Sequence, residues 1–417
     1  MPMKSYKFLL IVGDGMGDRP IPELNFKTPL EYAVTPNLDS LAKRGITGIM
    51  DVIKPGIPPG SAPAHLALLS YDPYASYTGR GAFEALGLNI KLERGDVAFR
   101  CNFATVDEEL KIMDRRAGRS IPEADVLASS LNKISIDVDP PVKIIFKHSV
   151  EHRGVLILRG SNLSPKISDI DPGREGEKIL WAKPLIDDYS AYRTAKILNE
   201  FVRRAHEILE DHPANKARSN KGLPPANFIL CRGAGTLPQL KSFTEKFGLK
   251  GICIAGITLI KGVARTIGFE APLIEGATGG LDTDVYAKAK AALKYMESYD
   301  FIFIHVKGTD TASHDGLIES KVKMIEKIDG MVGRILDFKN VNNLCIAVTA
   351  DHATPISIRD HTGDPVPLLI HAPGILSDDV CMFSEKACMK GGLGRIRGLN
   401  LIPILLNYAG VMHKFGE

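Results

Sequence analysis

Phe301-Ile302-Phe303-Ile304-His305-Val306 is an apolar run, and it leads directly into Lys307-Gly308-Thr309-Asp310-Thr311-Ala312-Ser313-His314. A short apolar run bounded by a turn reads as a strand buried on both faces. Two other stretches repeat this design. Lys7-Phe8-Leu9-Leu10-Ile11-Val12 ends at Gly13-Asp14-Gly15-Met16-Gly17-Asp18, and Leu344-Cys345-Ile346-Ala347-Val348-Thr349 ends at Ala350-Asp351-His352. Further strands are expected over 251–260 and 368–371, with helical periodicity between them at 284–298 and 317–338. Strands alternating with helices predict an α/β fold, a parallel sheet covered by helices on both faces.

Outside this frame, Thr35-Pro36 reads as a helix start and the stretch 61–69 as a helix. The character changes over 71–80, which suits a linker. The middle of the chain then carries strands of its own (97–103, 142–146, 155–158) and a long amphipathic helix (191–209). Residues 211–225, rich in Pro, Asn, Lys and Gly, read as a solvated loop whose basic residues are surface charge. Because the N-terminal strand belongs with those after residue 250, the middle region is an insertion. The expected division is 1–76 with 237–417 as one discontinuous domain, and 77–236 as an inserted smaller α/β domain.

Composition narrows the function. A 44% share of hydrophobic residues over 417 positions supports a folded chain with a sizeable core. The 52 basic residues exceed the 49 acidic ones by three, which is no nucleic-acid footprint, and no aromatics interleave with basic residues. No apolar stretch approaches the length of a membrane span. The cysteines at 101, 231, 253, 345, 381 and 388 form no C-x-x-C pair, so a cytoplasmic protein without a disulfide scaffold is expected. The sequence is compatible with a homo-oligomer.

The chemistry lies at the strand ends. Sites in open α/β sheets form outside the carboxyl ends of the strands, so Asp14, Asp310 and Asp351 are expected to converge. Asp310 and His314, four apart, share one face of a helical turn. Asp351 and His352 are adjacent, so their side chains are expected to splay apart and to serve different metals or different sides of one. His361, in a glycine-containing loop, offers another imidazole. Carboxylate with imidazole suits a divalent transition ion such as zinc or manganese. Ser61, in Pro58-Pro59-Gly60-Ser61-Ala62-Pro63, stands at a helix start, where it is either an ordinary cap or a nucleophile beside a phosphate site. A nearby metal would supply the activation that a serine hydroxyl needs. Two rival motifs fail. The third glycine of a dinucleotide loop would fall at Asp18, and Ser61 lacks the G-x-S-x-G flanks. In the middle region Arg115, Arg116 and Arg119, then His148, His152 and Arg153, then Arg232, offer forks for carboxylate or phosphate, surface charge being the plainer reading of each.

Gly-Asp-Gly-Met-Gly-Asp with Asp14, Pro-Gly-Ser-Ala-Pro-Ala-His with Ser61, Asp310-x3-His314, Asp351-His352 and His361 together resemble the alkaline phosphatase superfamily. Within it, nearly the whole chain resembles the archaeal-type cofactor-independent phosphoglycerate mutases. The resemblance implies an alkaline-phosphatase-like sheet with a transferase-type insertion. It implies two divalent ions, commonly manganese, with magnesium, cobalt or zinc as alternatives, and no 2,3-bisphosphoglycerate. By position, Asp14, Ser61, Asp351 and His352 would hold one ion, and Asp310, His314 and His361 the other. Lys261 matches a lysine beside the transferred phosphate. Arg115, Arg116, Arg119, Arg153 and Arg232 are matches to substrate-binding positions, and a substrate histidine of the family's bacterial branch falls to His148 or His152, with His152 taken as the substrate-binding candidate. The implied reaction interconverts 3- and 2-phosphoglycerate through a phosphoserine. A metal-dependent phosphatase or phosphodiesterase of the same superfamily is the alternative.

Overall fold

The computed structural model describes residues 6–337, 343–412, 414 and 416. Among them the strands are, in chain order, β1 (Lys7–Gly13), β2 (Ile46–Asp51), β3 (Val97–Val106), β4 (Ile112–Asp114), β5 (Lys143–His148), β6 (Arg153–Arg159), β7 (Phe228–Gly235), β8 (Gly251–Ile254), β9 (Phe301–Val306), β10 (Leu344–Thr349), β11 (Val366–His371) and β12 (Gly394–Arg397). The chain divides into two compact units, one of residues 1–77 with 240–417 and one of residues 78–239.

The first unit is built on a sheet of order β12-β2-β11-β10-β1-β9-β8. β1 lies between β10 and β9, parallel to both, with Val12 opposite Thr349 on one side and His305 on the other. The three strands are nearly continuous aliphatic and aromatic sequence, and their interiors are buried on both faces. Their carboxyl ends therefore lie side by side. β11 alone runs antiparallel, to β10 and to β2. Beneath the sheet Phe243 packs against Phe269 and Phe301, with ring centroids 4.9 Å apart in each pair. No helix among the described residues is long and apolar enough to cross a membrane.

The second unit carries an antiparallel sheet in which β3 pairs with β4, β6 and β7, and β6 with β5. Helix Tyr189–Glu210 lays Ala195, Leu198, Phe201, Val202 and Ala205 into the core of this unit.

Several local expectations change. The apolar stretch 251–260 is a strand only to Ile254. It then turns into helix Thr258–Thr266, because Gly256 passes so close to the Thr278 carbonyl that a Cβ there would stand 2.2 Å from its oxygen. Residues 211–225 are not simply a loop. They contain helix Pro213–Asn220, started by the His212 side chain accepting from the Ala214 N–H at 3.2 Å. Arg218 of this helix is buried rather than surface charge, donating to Glu123 at 3.0 Å and to the Ala117 carbonyl at 2.9 Å. The helix expected to reach residue 338 is Ile318–Leu336, and Phe338 lies outside the described residues.

Candidate metal centre and anion site

The strand ends of β1, β9 and β10 bring Asp14, Asp310 and Asp351 together, all buried. Asp14 Oδ2 meets His305 Nε2 at 2.8 Å, and Asp14 Oδ1 accepts from Lys307 Nζ at 3.0 Å and lies 3.4 Å from His352 Nε2. Asp351 Oδ1 accepts from the Gly15 N–H at 3.0 Å, while its Oδ2 lies 3.2 Å from His352 Nε2. The adjacent pair Asp351 and His352 does not splay; their ligating atoms converge on Asp14. Short pairings of Met16 and Gly17 with Ala353, and of Ala353 with Thr362, tie these loops to one another.

A second group centres on Asp310. Helix Gly308–His314 places it one turn before His314, whose Nε2 lies 3.4 Å from Asp310 Oδ1. His361 Nε2 approaches the same oxygen at 3.5 Å. His352 and His361 stack with centroids 3.5 Å apart, so the two groups adjoin. Asp14, Asp351 and His352 form one set whose ligating atoms lie within 4.8 Å of one another, and Asp310, His352 and His361 form another. Asp360, with His314 and His361, forms a third and more exposed set.

Ser61 opens helix Ser61–Leu68, but Gly60 occupies the cap position, so Ser61 is not the ordinary cap serine. The helix is anchored to the cluster on both sides of Ser61. His361 Nδ1 pairs with the Pro59 carbonyl at 2.7 Å, and His65 stands 3.6 Å from Asp351 Oδ2. Lys261 lies on helix Thr258–Thr266, which packs against helix Ser61–Leu68. Burial lowers the Lys261 ammonium below its ordinary value.

The electrostatics favour cations. Burial opposes ionisation of Asp310 and Asp351. His361 and Lys307 nevertheless hold Asp310, and His352 holds Asp351, well below the usual carboxylate range. Burial likewise opposes charge on Lys307, yet Asp14 and Asp310 keep its ammonium above its ordinary value. Lys307 bridges these two carboxylates, a protein cation between metal-type ligands. Burial pushes His65 down to about 4, leaving a neutral ring at neutral pH. Among the described residues His65 Nε2, His305 Nδ1, Asp351 Oδ2 and His352 Nε2 are buried without a hydrogen-bond partner. An unpaired buried polar atom costs roughly 1–3 kcal/mol. Two of the four, Asp351 Oδ2 and His352 Nε2, face each other beside Asp14. Oxygen and imidazole nitrogen lacking other partners form a donor set that fits a divalent ion.

Sequence reasoning missed His65, His305 and Lys307. The first two carry a readable signal, a histidine inside an otherwise apolar helix or strand.

The second unit holds an arginine cluster. Arg153, Arg232 and His152 are joined there by Arg80 and Arg100, which stand outside the basic clusters read from the sequence. Burial, with Arg80, Arg232 and Arg153 nearby, pushes Arg100 down to about 9, against the pull of Glu84. Burial and then Arg153, Arg116, Arg100 and Arg119 push His152 down to about 3. Arg100 Nε, Arg153 Nε and His152 Nδ1 are buried and unpartnered. Arg80 and Arg100 pair with Glu84, and Arg232 lies 3.7 Å from Asp171, so the cations outnumber their carboxylates and, with donors unspent, make an anion site. Arg115 is instead committed to Asp171 through bonds of 3.1 and 2.6 Å, and Arg119 to Glu151 at 3.0 Å. Arg116 is exposed. His148 spends both ring nitrogens, on Asp125 and on the Glu151 carbonyl.

Buried carboxylates and imidazoles at the carboxyl ends of adjacent strands, beside a helix-start serine, are the build of a metalloenzyme. Residues 6–408 match the model of the metalloenzyme superfamily. A 2,3-bisphosphoglycerate-independent phosphoglycerate mutase of Ignicoccus hospitalis is 50% identical over 418 residues, covering 99% of this chain and all of that protein. The solved PH0037 protein of Pyrococcus horikoshii superposes with a TM-score of 0.86 at 41% identity, over 99% of this chain and 100% of that one. The cofactor-independent phosphoglycerate mutase of Thermoplasma acidophilum does so with a TM-score of 0.71 at 37% identity, over 97% and 100%. The chain belongs to the metalloenzyme superfamily and, within it, to the 2,3-bisphosphoglycerate-independent phosphoglycerate mutases. Divalent metal ions, and no 2,3-bisphosphoglycerate, go with that membership.

Proposed function

We propose that the chain is an isomerase that interconverts 3-phosphoglycerate and 2-phosphoglycerate, with Ser61 as the phosphoryl carrier. The observation that carries the reading is the pair of unpartnered donors, Asp351 Oδ2 and His352 Nε2, beside a helix that starts at Ser61 and is tied to the same cluster through Pro59 and His65. Asp14, Ser61, Asp351 and His352 hold one divalent ion, and Asp310, His314 and His361 the other. Manganese is the preferred ion in this reading. When bound, the ions polarise the phosphoryl oxygens and ease deprotonation of the attacking hydroxyl.

The chain's own residues do the rest. The first N–H groups of helix Ser61–Leu68 have no intrahelical acceptor and attract phosphate. Lys261 neutralises the phosphoryl oxygens. Ser61 Oγ bonds to phosphorus as the bond from phosphorus to O3 of the substrate breaks. The serine gives up a proton and O3 gains one. Glycerate O2 then takes the phosphoryl group back and Ser61 is reprotonated. The inserted unit serves as the substrate-binding unit. Arg153, Arg232 and His152, with Arg80 and Arg100, hold the glycerate carboxylate, and Arg115 orders Asp171 next to Arg232. Arg116 and Arg119 add positive potential. On this reading the partner is a small phosphorylated acid, neither nucleic acid nor membrane takes part, and the location is cytoplasmic.

Phosphorus NMR of the full-length protein with Mn2+ and 3-phosphoglycerate tests the proposal. A growing 2-phosphoglycerate signal without inorganic phosphate is the expected result. Inorganic phosphate alone would replace the isomerase with a phosphatase.

A further inference from the structure

Thr354 Oγ1 sits between the two ligand groups. It lies 2.9 Å from His352 Nδ1 and 2.9 Å from Asp310 Oδ1. A hydroxyl has one proton to give and lone pairs to receive with, whereas a ligating carboxylate only accepts. The proton therefore goes to Asp310, and the hydroxyl accepts from a protonated Nδ1 of His352. Nε2 is thereby left as the nitrogen that offers its lone pair to an ion. That is the nitrogen lying 3.2 Å from Asp351 Oδ2 and 3.4 Å from Asp14 Oδ1 with no hydrogen-bond partner. One hydroxyl thus sets the tautomer of a ligand in the first group and occupies one lone pair of the central carboxylate in the second.

The residue is held for this task. Thr354 is buried; its N–H donates to the Gly17 carbonyl at 3.0 Å, and its own carbonyl accepts from Lys321 Nζ at 3.1 Å. Lys321 also donates to Asp18 at 2.7 Å, and so locks the loop after β10 to the loop after β1. A β-branched side chain adds a stiff χ1 to this fixed backbone.

We propose that Thr354 is a positioning residue that couples the two metal sites, orienting His352 and Asp310 through a single hydroxyl. The inference rests on the metal-centre reading given above. Partners of ligating groups contribute roughly 10- to 100-fold to metal affinity. Because Thr354 serves a ligand of each group, both ions are affected.

Mn2+ titration of the full-length, metal-free protein by calorimetry tests this, with near-UV circular dichroism and cooperative melting to establish folding. Thr354→Val keeps the shape and removes the hydroxyl; both stepwise dissociation constants should rise by roughly 10- to 100-fold. Thr354→Ser keeps the hydroxyl and should stay within a few-fold of wild type. If the valine variant does not fold, Thr354→Ala carries the same expectation. Wild-type affinity for both ions in the hydroxyl-free variant, or loss at one ion only, overturns the coupling role. A wild-type protein that binds no Mn2+ overturns instead the metal centre on which the inference rests.

Discussion

Gly15→Ala probes how tightly the loop after β1 is wedged between the ligand groups. Gly15 adopts φ +63, and a Cβ there would lie 2.6 Å from Thr354 Oγ1 and 2.8 Å from both Cβ and Oδ1 of Asp310. Gly56 has a similar φ of +74 with nothing within 4 Å of the added atom. The two glycines separate backbone strain from collision. A left-handed conformation costs an alanine about 1–2 kcal/mol, which is the expected loss for Gly56→Ala. Forcing an atom into packed surroundings adds about 1–3 kcal/mol, so Gly15→Ala should lose about 2–5 kcal/mol. The neighbours that must yield are Asp310 and Thr354, so Mn2+ affinity should fall as well, whereas Gly56→Ala leaves it unchanged. Urea denaturation of the metal-free proteins gives the first quantity and calorimetric titration the second. Equal stability losses in the two variants, with equal Mn2+ affinity, would refute the close approach of Gly15 to the centre.

Ser61→Ala should abolish turnover while leaving the melting temperature of the metal-free protein within a degree or two, since Gly60 and not Ser61 caps the helix; retained isomerisation would sink the phosphoserine. Arg153→Ala should raise the KM for 3-phosphoglycerate and leave Mn2+ binding alone, because Arg153 belongs to the anion cluster of the inserted unit; steady-state kinetics beside the Mn2+ titration decide it. Chelation should lower the melting temperature, and each ion restored at one hundred times its Kd should return about 2.7 kcal/mol; a melting temperature indifferent to Mn2+ contradicts the fit of the donor set. Glu385 is pushed up from 4.5 to about 7 by burial, against hydrogen bonds from Thr28 and from the Asp18 N–H. The folded state thus holds a proton that the unfolded chain releases earlier. Wild type should lose stability relative to Glu385→Gln as pH rises from about 4.5 to about 7, on the order of 3 kcal/mol in all. Parallel stability–pH curves for the two proteins would count against a half-buried, protonated Glu385.

The frame of the first unit was legible because β1, β9 and β10 are apolar runs that each stop at a turn bearing an aspartate. Buried parallel strands leave that signature even in a single sequence. The reversed direction of β11 was not legible, since apolar patterning carries no direction. β7 escaped notice because Phe-Ile-Leu-Cys dissolves into Arg-Gly-Ala-Gly, and helix Pro213–Asn220 because it carries no large apolar residue that could show a helical period. The same logic divides the site. Asp14, Asp310 and Asp351 announce themselves at strand ends. His305 passes for an interruption of a hydrophobic strand, and Thr354 for a loop threonine. Arg100 could have been found, as a charge in the middle of a strand that is otherwise apolar or small.

The place of β1 inside the seven-stranded sheet bears on how the molecule is made. Phe8 pairs with Phe301 and with Cys345, partners that leave the ribosome long after it does. The inserted unit is one uninterrupted segment, Thr78–Gln239, with its own core, and it is complete well before those partners exist. Domains fold as units during synthesis, and pairings between distant segments come late. The N-terminal strand therefore waits, unpaired, while the insertion matures. On the proposed assignment the set around Asp310 closes only when His361 has emerged, so a chain truncated before that residue lacks its second ion site, while the Asp14, Asp351 and His352 set is already encoded.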